Sequence, residues 1–268
     1  MTKESENPTI SLPALRFGDS AQPIAIDERV IVERLFRIML NGEEYAAASI
    51  LPGMEREFVY GFLYTSGAIS RAEDVTDLQI AGDGAAAFVS TDGKTFDEYL
   101  YKARLPLTPG TACGAEPQAI STAGLPALVS DLRVRPSDIL DALKTVRAES
   151  ALFRETGGVH SVALFDSDGR LVARADDVGR HNAFDKIAGA CLLCKLNPSA
   201  LFAVTTGRLS SEIVGKCWRL GVPLLVSPSC ATSRAIEIAA LANIALCGFA
   251  RGRRLAVYSA DWRIGGRE

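Results

Sequence analysis

The sequence predicts a mixed α/β fold, with a parallel or mixed sheet in its second half and a smaller α+β region before it. Three observations predict this. From about residue 182 onward, stretches with helical spacing alternate with short apolar stretches, which is the signature of βαβ units. Two of those apolar stretches, ending at Thr205 and Val226, run directly into small polar loops that open the next helix. The first third instead carries a hairpin signal followed by one amphipathic helix.

The elements follow in chain order. Met1 to Pro13 mixes charges with Ser, Asn and Pro and lacks the apolar core of a secretory signal, so residues 1–25 read as a loose tail. Residues 26–105 form the α+β region. Arg29 to Met39 alternates like a strand, and Asn41-Gly42 turns it into a second strand around Tyr45 to Leu51. Phe58, Val59, Phe62 and Leu63 then recur at helical spacing over Glu55 to Ser66, with Gly67 as the stop. Short strands follow at Leu78 to Ile80 and Ala86 to Ser90. Residues 106–134, rich in Pro, Gly, Ala and Thr over Leu105 to Gly124, read as a loop crossing between the halves. Residues 135–268 form the α/β domain. Ser137 caps a helix with Ile139, Leu140, Leu143 and Val146 on one face, and Ser161 to Arg174 is a hairpin over Asp166-Ser167-Asp168-Gly169. Helix Asn182 to Leu196, strand Leu201 to Thr205, helix Ser210 to Leu220, strand Val222 to Val226, helix Thr232 to Leu246 and strand Leu255 to Tyr258 complete it.

Composition sets limits on function. Hydrophobic residues at 48% and charged residues at 23% give a chain of 268 residues an ordinary globular core. Apolar runs such as Ile236 to Phe249 are interrupted by Glu237 and Asn243 and fall short of the ~20 residues of a membrane span, so no membrane association is expected. A net charge of −3 lacks the basic footprint of a nucleic-acid binder. Six cysteines without an export signal indicate reduced thiols and a cytoplasmic location.

Several residues carry chemistry. Thr205-Thr206-Gly207-Arg208-Leu209-Ser210-Ser211 and Ser227-Pro228-Ser229-Cys230-Ala231-Thr232 each join a strand to a helix. Helix N-termini favour anions, and ligands of open α/β sheets lie beyond the strands' carboxyl ends; each loop taken singly is equally the pattern of an ordinary N-cap. Phe249-Ala250-Arg251-Gly252-Arg253-Arg254 places three arginines in six residues, either a phosphate clamp or a solvated basic turn. The histidines are His160, in Gly157-Gly158-Val159-His160, and His181, in Gly179-Arg180-His181-Asn182, with Asp176, Asp177, Asp185 and Lys186 near the second. Neither opens an H-x-E motif and no P-C-x-x-C follows, so zinc-dependent deamination and a metal site are not expected. Cys191, Cys194, Cys217 and Cys247 fall in apolar helical contexts, whereas Cys113, in a loop, and Cys230, before a helix, are the candidate nucleophiles.

Thr156-Gly157-Gly158-Val159-His160, Asp177-Val178-Gly179-Arg180-His181-Asn182-Ala183 with Asp185-Lys186, and Thr206-Gly207-Arg208 with Ser210-Ser211-Glu212 together resemble the FdhD family in order and spacing. Weaker matches at Asn41-Gly42, Gly61-Phe62-Leu63 and Val257-Tyr258 extend the resemblance over roughly Val30 to Tyr258. The resemblance implies a cytidine-deaminase-like α/β domain without zinc chemistry. It also implies an accessory sulfurtransferase role, passing persulfide sulfur from a cysteine desulfurase to the molybdenum bis(molybdopterin guanine dinucleotide) cofactor of formate dehydrogenase, with GDP as a mimic of that cofactor. The family's sulfur carrier falls on Cys113, and its cofactor-binding segment on Phe249 to Arg254; Arg180, His181, Thr206, Gly207, Arg208 and Ser229 complete the expected site. Two positions depart from the family pattern: Glu116 stands at the usual second cysteine, and Cys230 at a usually small residue. A non-catalytic protein that binds and delivers the cofactor is the competing expectation. The apolar, Ala-rich C-terminal half adds the expectation of a homodimer.

Overall fold

The computed structural model describes residues 7–18, 22–92 and 126–265. Twelve strands lie in three sheets among the described residues. Thr9–Arg16 (β1) and Ile24–Ile31 (β2) form an antiparallel ribbon, which corrects the loose-tail reading: alternation in this stretch is the period of a strand, and Pro13 sits at an edge, where it breaks no ladder. The ribbon leaves Ile10, Leu12, Leu15 and Ile24 exposed. The strand expected over Arg29 to Met39 is in fact two, because the chain leaves the ribbon after Ile31 and re-enters a different sheet at Arg34.

Arg34–Leu40 (β3) and Glu43–Ile50 (β4) pair antiparallel across Asn41-Gly42, with φ of 51° and 90°, the left-handed pair such a hairpin demands. Val75–Ile80 (β5) and Ala86–Thr91 (β6) complete the sheet in the order β4-β3-β6-β5. Helix Glu55–Ser66 (α1) stops at Gly67, φ 81°, and packs Phe58, Val59 and Leu63 onto Phe36, Ile38 and Val89.

The second sheet runs β12-β11-β10-β9-β7-β8, from His160–Phe165 (β7), Leu171–Asp177 (β8), Phe202–Thr205 (β9), Leu224–Val226 (β10), Ala245–Arg251 (β11) and Arg254–Ser259 (β12). Only β9, β10 and β11 are mutually parallel; β7 lies antiparallel to β8 and β9, and β12 to β11. The sheet is therefore mixed, one of the two arrangements expected. The expected helix to Leu246 ends at Ala242, and β11 begins at Ala245; Asn243, at φ 58°, ends the helix.

Pro136–Glu149 (α2) covers one face, burying Ile139, Leu143 and Val146 with Phe165, Phe202 and Val204. Its first residue is Pro136, with Arg135 and not Ser137 at the cap. A short helix, Ala151–Thr156 (α3), follows. The other face carries Arg180–Leu193 (α4), Ser211–Leu220 (α5) and Ser233–Ala242 (α6), which bury Phe184, Ile187, Val214, Trp218 and Ile238 against Val162, Leu225 and Leu246. None of the described helices is long and apolar enough to cross a membrane.

The two halves meet where α1 crosses α4. A Cβ on Gly61 would lie 1.7 Å from the Asp185 carbonyl oxygen, and one on Gly189 would lie 1.8 Å from that of Glu57, so the helices touch backbone to backbone. A buried clamp joins them. Asp177 accepts hydrogen bonds from Leu51 N at 3.1 Å and from Asn182 Nδ2 and Gly179 N at 3.0 Å, and pairs with Lys186 Nζ at 2.8 Å. Lys186 also donates to Leu51 O, and Asn182 to Ser49 O.

Candidate functional site

Three strand-to-helix or strand-to-strand connections sit side by side at the carboxyl edge of β9, β10 and β11. Leu209 N donates to Cys230 O, and Thr232 N to Leu209 O, which zips the Thr206–Ser210 loop to the Ser227–Thr232 loop. Ser227 Oγ donates to Gly207 O at 2.6 Å. On the other side Phe249 N donates to Ser229 O and Ala250 N to Ser227 O, so the base of the β11–β12 hairpin joins the same edge. Gly248 is needed there: a Cβ would lie 2.9 Å from the Tyr258 ring and 3.1 Å from Ser229 O. Phe249 takes φ 48° and stays 42% exposed, with the Arg251 guanidinium 5.4 Å from its ring centre.

Arg251 and Arg254 face each other across the two-residue turn Gly252-Arg253. Like charges directly opposite on a hairpin are destabilising, and none of the three arginines has an ion-pair partner among the described residues. The hairpin's position against the loop edge is what joins it to the other two connections.

The N-termini of α4 and α5 open at the same edge. Neither helix has a side-chain cap, whereas Thr232 caps α6 by accepting from Ala235 N. Uncapped N–H groups and the dipole end favour an anion. Arg180 lies across Gly207, whose added Cβ would meet its side chain at 2.9 Å, and Arg208 is exposed beside them. His181 Nε2 is 2.9 Å from Glu212 Oε2, and this contact holds the Glu212 carboxyl below its ordinary value. His160 Nδ1 lies 3.4 Å from Thr206 Oγ1, which accepts from Ser161 N at 3.0 Å. Burial, then the charges of Arg180 and His181, lower the His160 pKa.

The structure thus gathers Arg180, His181, Thr206, Gly207, Arg208, Ser229 and Phe249 to Arg254 along one edge. It separates Asp177, Asn182, Asp185 and Lys186 from that edge: Asp185 accepts from Thr65 and pairs with Lys216, a contact between helices. Among the cysteines, burial pushes Cys191 up to about 11, Cys247 up to about 12, and Cys217 higher still. Cys247 is on a strand, not a helix, and Cys194 is an exposed helix end rather than a buried one. Cys230 is partly exposed. Cys113 and Glu116 lie outside the described residues, as does most of the crossing loop. His160, which the sequence flagged as one of its two histidines and within the Thr156 to His160 motif, lines a cavity with Phe153 and Val178.

Fold and site define a class: a mixed α/β protein with a basic crevice on the carboxyl edge of its larger sheet. The chain belongs to the FdhD/NarQ family, whose pattern it matches over residues 31–265. It is 32% identical over 251 residues to the sulfur carrier protein FdhD of Shouchella clausii, covering 91% of this chain and 93% of that one. It is 33% identical over 247 residues to that of Bacillus subtilis, covering 89% and 91%. A crystal structure described as a formate dehydrogenase accessory protein, from Desulfotalea psychrophila, superposes with a TM-score of 0.78 at 28% identity, covering 96% of this chain and 100% of that one.

Proposed function

We propose that this protein is a sulfur carrier for formate dehydrogenase, holding the molybdenum bis(molybdopterin guanine dinucleotide) group as cargo in the basic crevice while sulfur arrives on Cys113. The carrying observation is the Arg251/Arg254 pair, facing across a hairpin with Arg253 at its turn, beside two uncapped helix N-termini. Such a cluster is stabilised by a polyphosphate, which charge-assisted hydrogen bonds from guanidinium forks fit well. The names of the relatives support the sulfur-carrier part of the reading.

In this scheme the Cys113 thiolate attacks the outer sulfur of a persulfide on a cysteine desulfurase. The donor's S–S bond breaks, the donor leaves as a thiolate, and Cys113 keeps the sulfur for the cargo. Cys191, Cys217 and Cys247 have raised pKa values through burial and so supply little thiolate for this step. The chemistry needs the reducing cytoplasm, and the larger sheet with its helices fits a cytidine-deaminase-like layer put to binding. The exposed apolar residues of the β1–β2 ribbon support a homodimer. Glu116, at the family's second cysteine, favours the second reading, a cofactor-delivery protein without sulfur transfer.

Incubation with a cysteine desulfurase and cysteine, followed by peptide mass spectrometry, separates the two readings. The expected result is a persulfide on Cys113 in the natural protein and in Cys230→Ala, and none in Cys113→Ala. Persulfide retained by Cys113→Ala with recipient activity intact rejects Cys113 as carrier; no persulfide in any version leaves the delivery reading.

A further inference from the structure

Cys191 and Cys194 stand three residues apart at the far end of α4, whose opposite end opens at the crevice. A helix of this length spans about 20 Å, so the pair lies well away from the arginine hairpin. The two thiols differ in exposure. Cys191 is 2% exposed, inside the cluster that holds Phe184 and Ile187, whereas Cys194 is exposed at the helix cap. Cys217 and Cys247 are fully buried, so among the described residues no other cysteine joins a reachable thiol to a neighbour on the same turn.

Helix geometry brings this pair within bonding range. Residues three apart share a face, and their Cα atoms are about 5 Å apart in an α-helix, inside the range that a disulfide spans. The thiols are close enough for the charge of one to act on the other. The turn that carries them is closed rather than frayed: Cys194 N donates to Ala190 O at 2.9 Å, Lys195 N to Leu192 O at 3.2 Å and Leu196 N to Cys191 O at 3.0 Å. The last two bonds close the helix end twice over. Lys195, at φ 52°, occupies the left-handed position that glycine usually fills there.

We propose that Cys191 and Cys194 form a thiol-modification site, which a low-molecular-weight disulfide such as oxidised glutathione converts to a disulfide within the helix turn. Cys194 reacts first, because it is exposed and because burial pushes Cys191 up to about 11. Its thiolate attacks one sulfur of the reagent, the reagent's S–S bond breaks, and one glutathione leaves as a thiolate while the other stays on Cys194. Cys191 then attacks the Cys194 sulfur and expels the second glutathione, its own proton ending on the departing thiolate. Two protein thiols and one glutathione disulfide thus become one protein disulfide and two glutathione thiols; the protein loses two electrons and the reagent gains them. Cys191 holds little thiolate, but an attacking group fixed on the same turn has an effective concentration far above that of a free thiol.

The test treats the full-length protein with oxidised glutathione, quenches it with iodoacetamide under denaturing conditions, and reads the tryptic peptides by mass spectrometry. Cleavage after Lys186 and Lys195 releases both sulfurs in one peptide, Ile187 to Lys195. In the natural protein this peptide should lose two hydrogens and take no alkyl group. Cys194→Ser, a change at an exposed position, should leave Cys191 free to be alkylated. Cys191→Ala should trap glutathione on Cys194, at about tenfold or more the level in the natural protein. Thermal melts check that each version is folded, and the natural protein and Cys194→Ser decide the matter alone if Cys191→Ala is not. A glutathione adduct that persists on Cys194 of the natural protein, a link from Cys194 to any cysteine other than Cys191, or both thiols still alkylated after prolonged treatment overturns the proposal.

Discussion

Lys186 is 1% exposed and remains compatible with folding because Asp177 lies 2.8 Å away and Leu51 O accepts a second hydrogen bond. Removing one partner of a buried pair strands the other charge, at a cost of about 3 to 5 kcal/mol. Lys186→Met should lower urea stability by that amount, and a loss below about 1 kcal/mol would show that the pair is not a clamp. His160 makes a prediction with a defined sign. Its folded pKa is depressed below the ordinary 6.5, so below that value the unfolded chain binds the proton that the folded protein refuses. Natural protein should lose stability relative to His160→Gln as pH falls below 6.5, until the lowered folded value is passed; parallel stability curves would refute the half-buried neutral histidine. At this scale the sequence was only half legible. Spacing marked Asp177 to Lys186 as one motif, but not that Arg180 and His181 face the crevice while Asp177, Asn182 and Lys186 bond to Ser49 of β4 and Leu51 just beyond it. That division depends on an element 120 or more residues away in the chain.

The crossing of α1 over α4 is an element-scale device, since two glycines let the backbones touch where any Cβ would collide with a carbonyl. Alanine is the better helix former by up to ~1 kcal/mol, yet Gly61→Ala should destabilise the protein by about 2 kcal/mol or more because overpacking outweighs propensity. Gly82→Ala, with nothing within 4 Å, should change stability little. Chemical denaturation compares the two, and a neutral Gly61→Ala would mean that the helices are free to separate. Elements with local signals were legible: the Asn41-Gly42 hairpin, the Gly67 stop, and the Asp166 to Gly169 turn, where Asp166 Oδ1 accepts from Asp168 N and Arg170 N. β11 was not, because the apolar run continues from helix into strand and periodicity cannot separate two buried segments. The order of the larger sheet was also hidden, since β7 entering antiparallel beside β9 is a choice made by packing rather than by any local pattern.

On the scale of the whole molecule, an acidic chain with net charge −3 concentrates Arg251, Arg253 and Arg254 and two helix N-termini without side-chain caps on one edge of its larger sheet. The family resemblance and the arginine cluster each pointed to this edge from sequence, but their convergence with Thr206 to Arg208 needed the strand order that sets β9, β10 and β11 side by side. A ligand that binds only the folded state raises its stability, by about 2.7 kcal/mol at a hundred times its dissociation constant. The most direct measurement is the thermal unfolding of natural protein and of the double variant Arg251→Ser/Arg254→Ser across a GDP titration. A melting temperature that climbs with GDP in the natural protein and stays flat in the variant is the predicted result. A flat curve in both, or equal shifts in both, would contradict a guanine-nucleotide crevice at this edge.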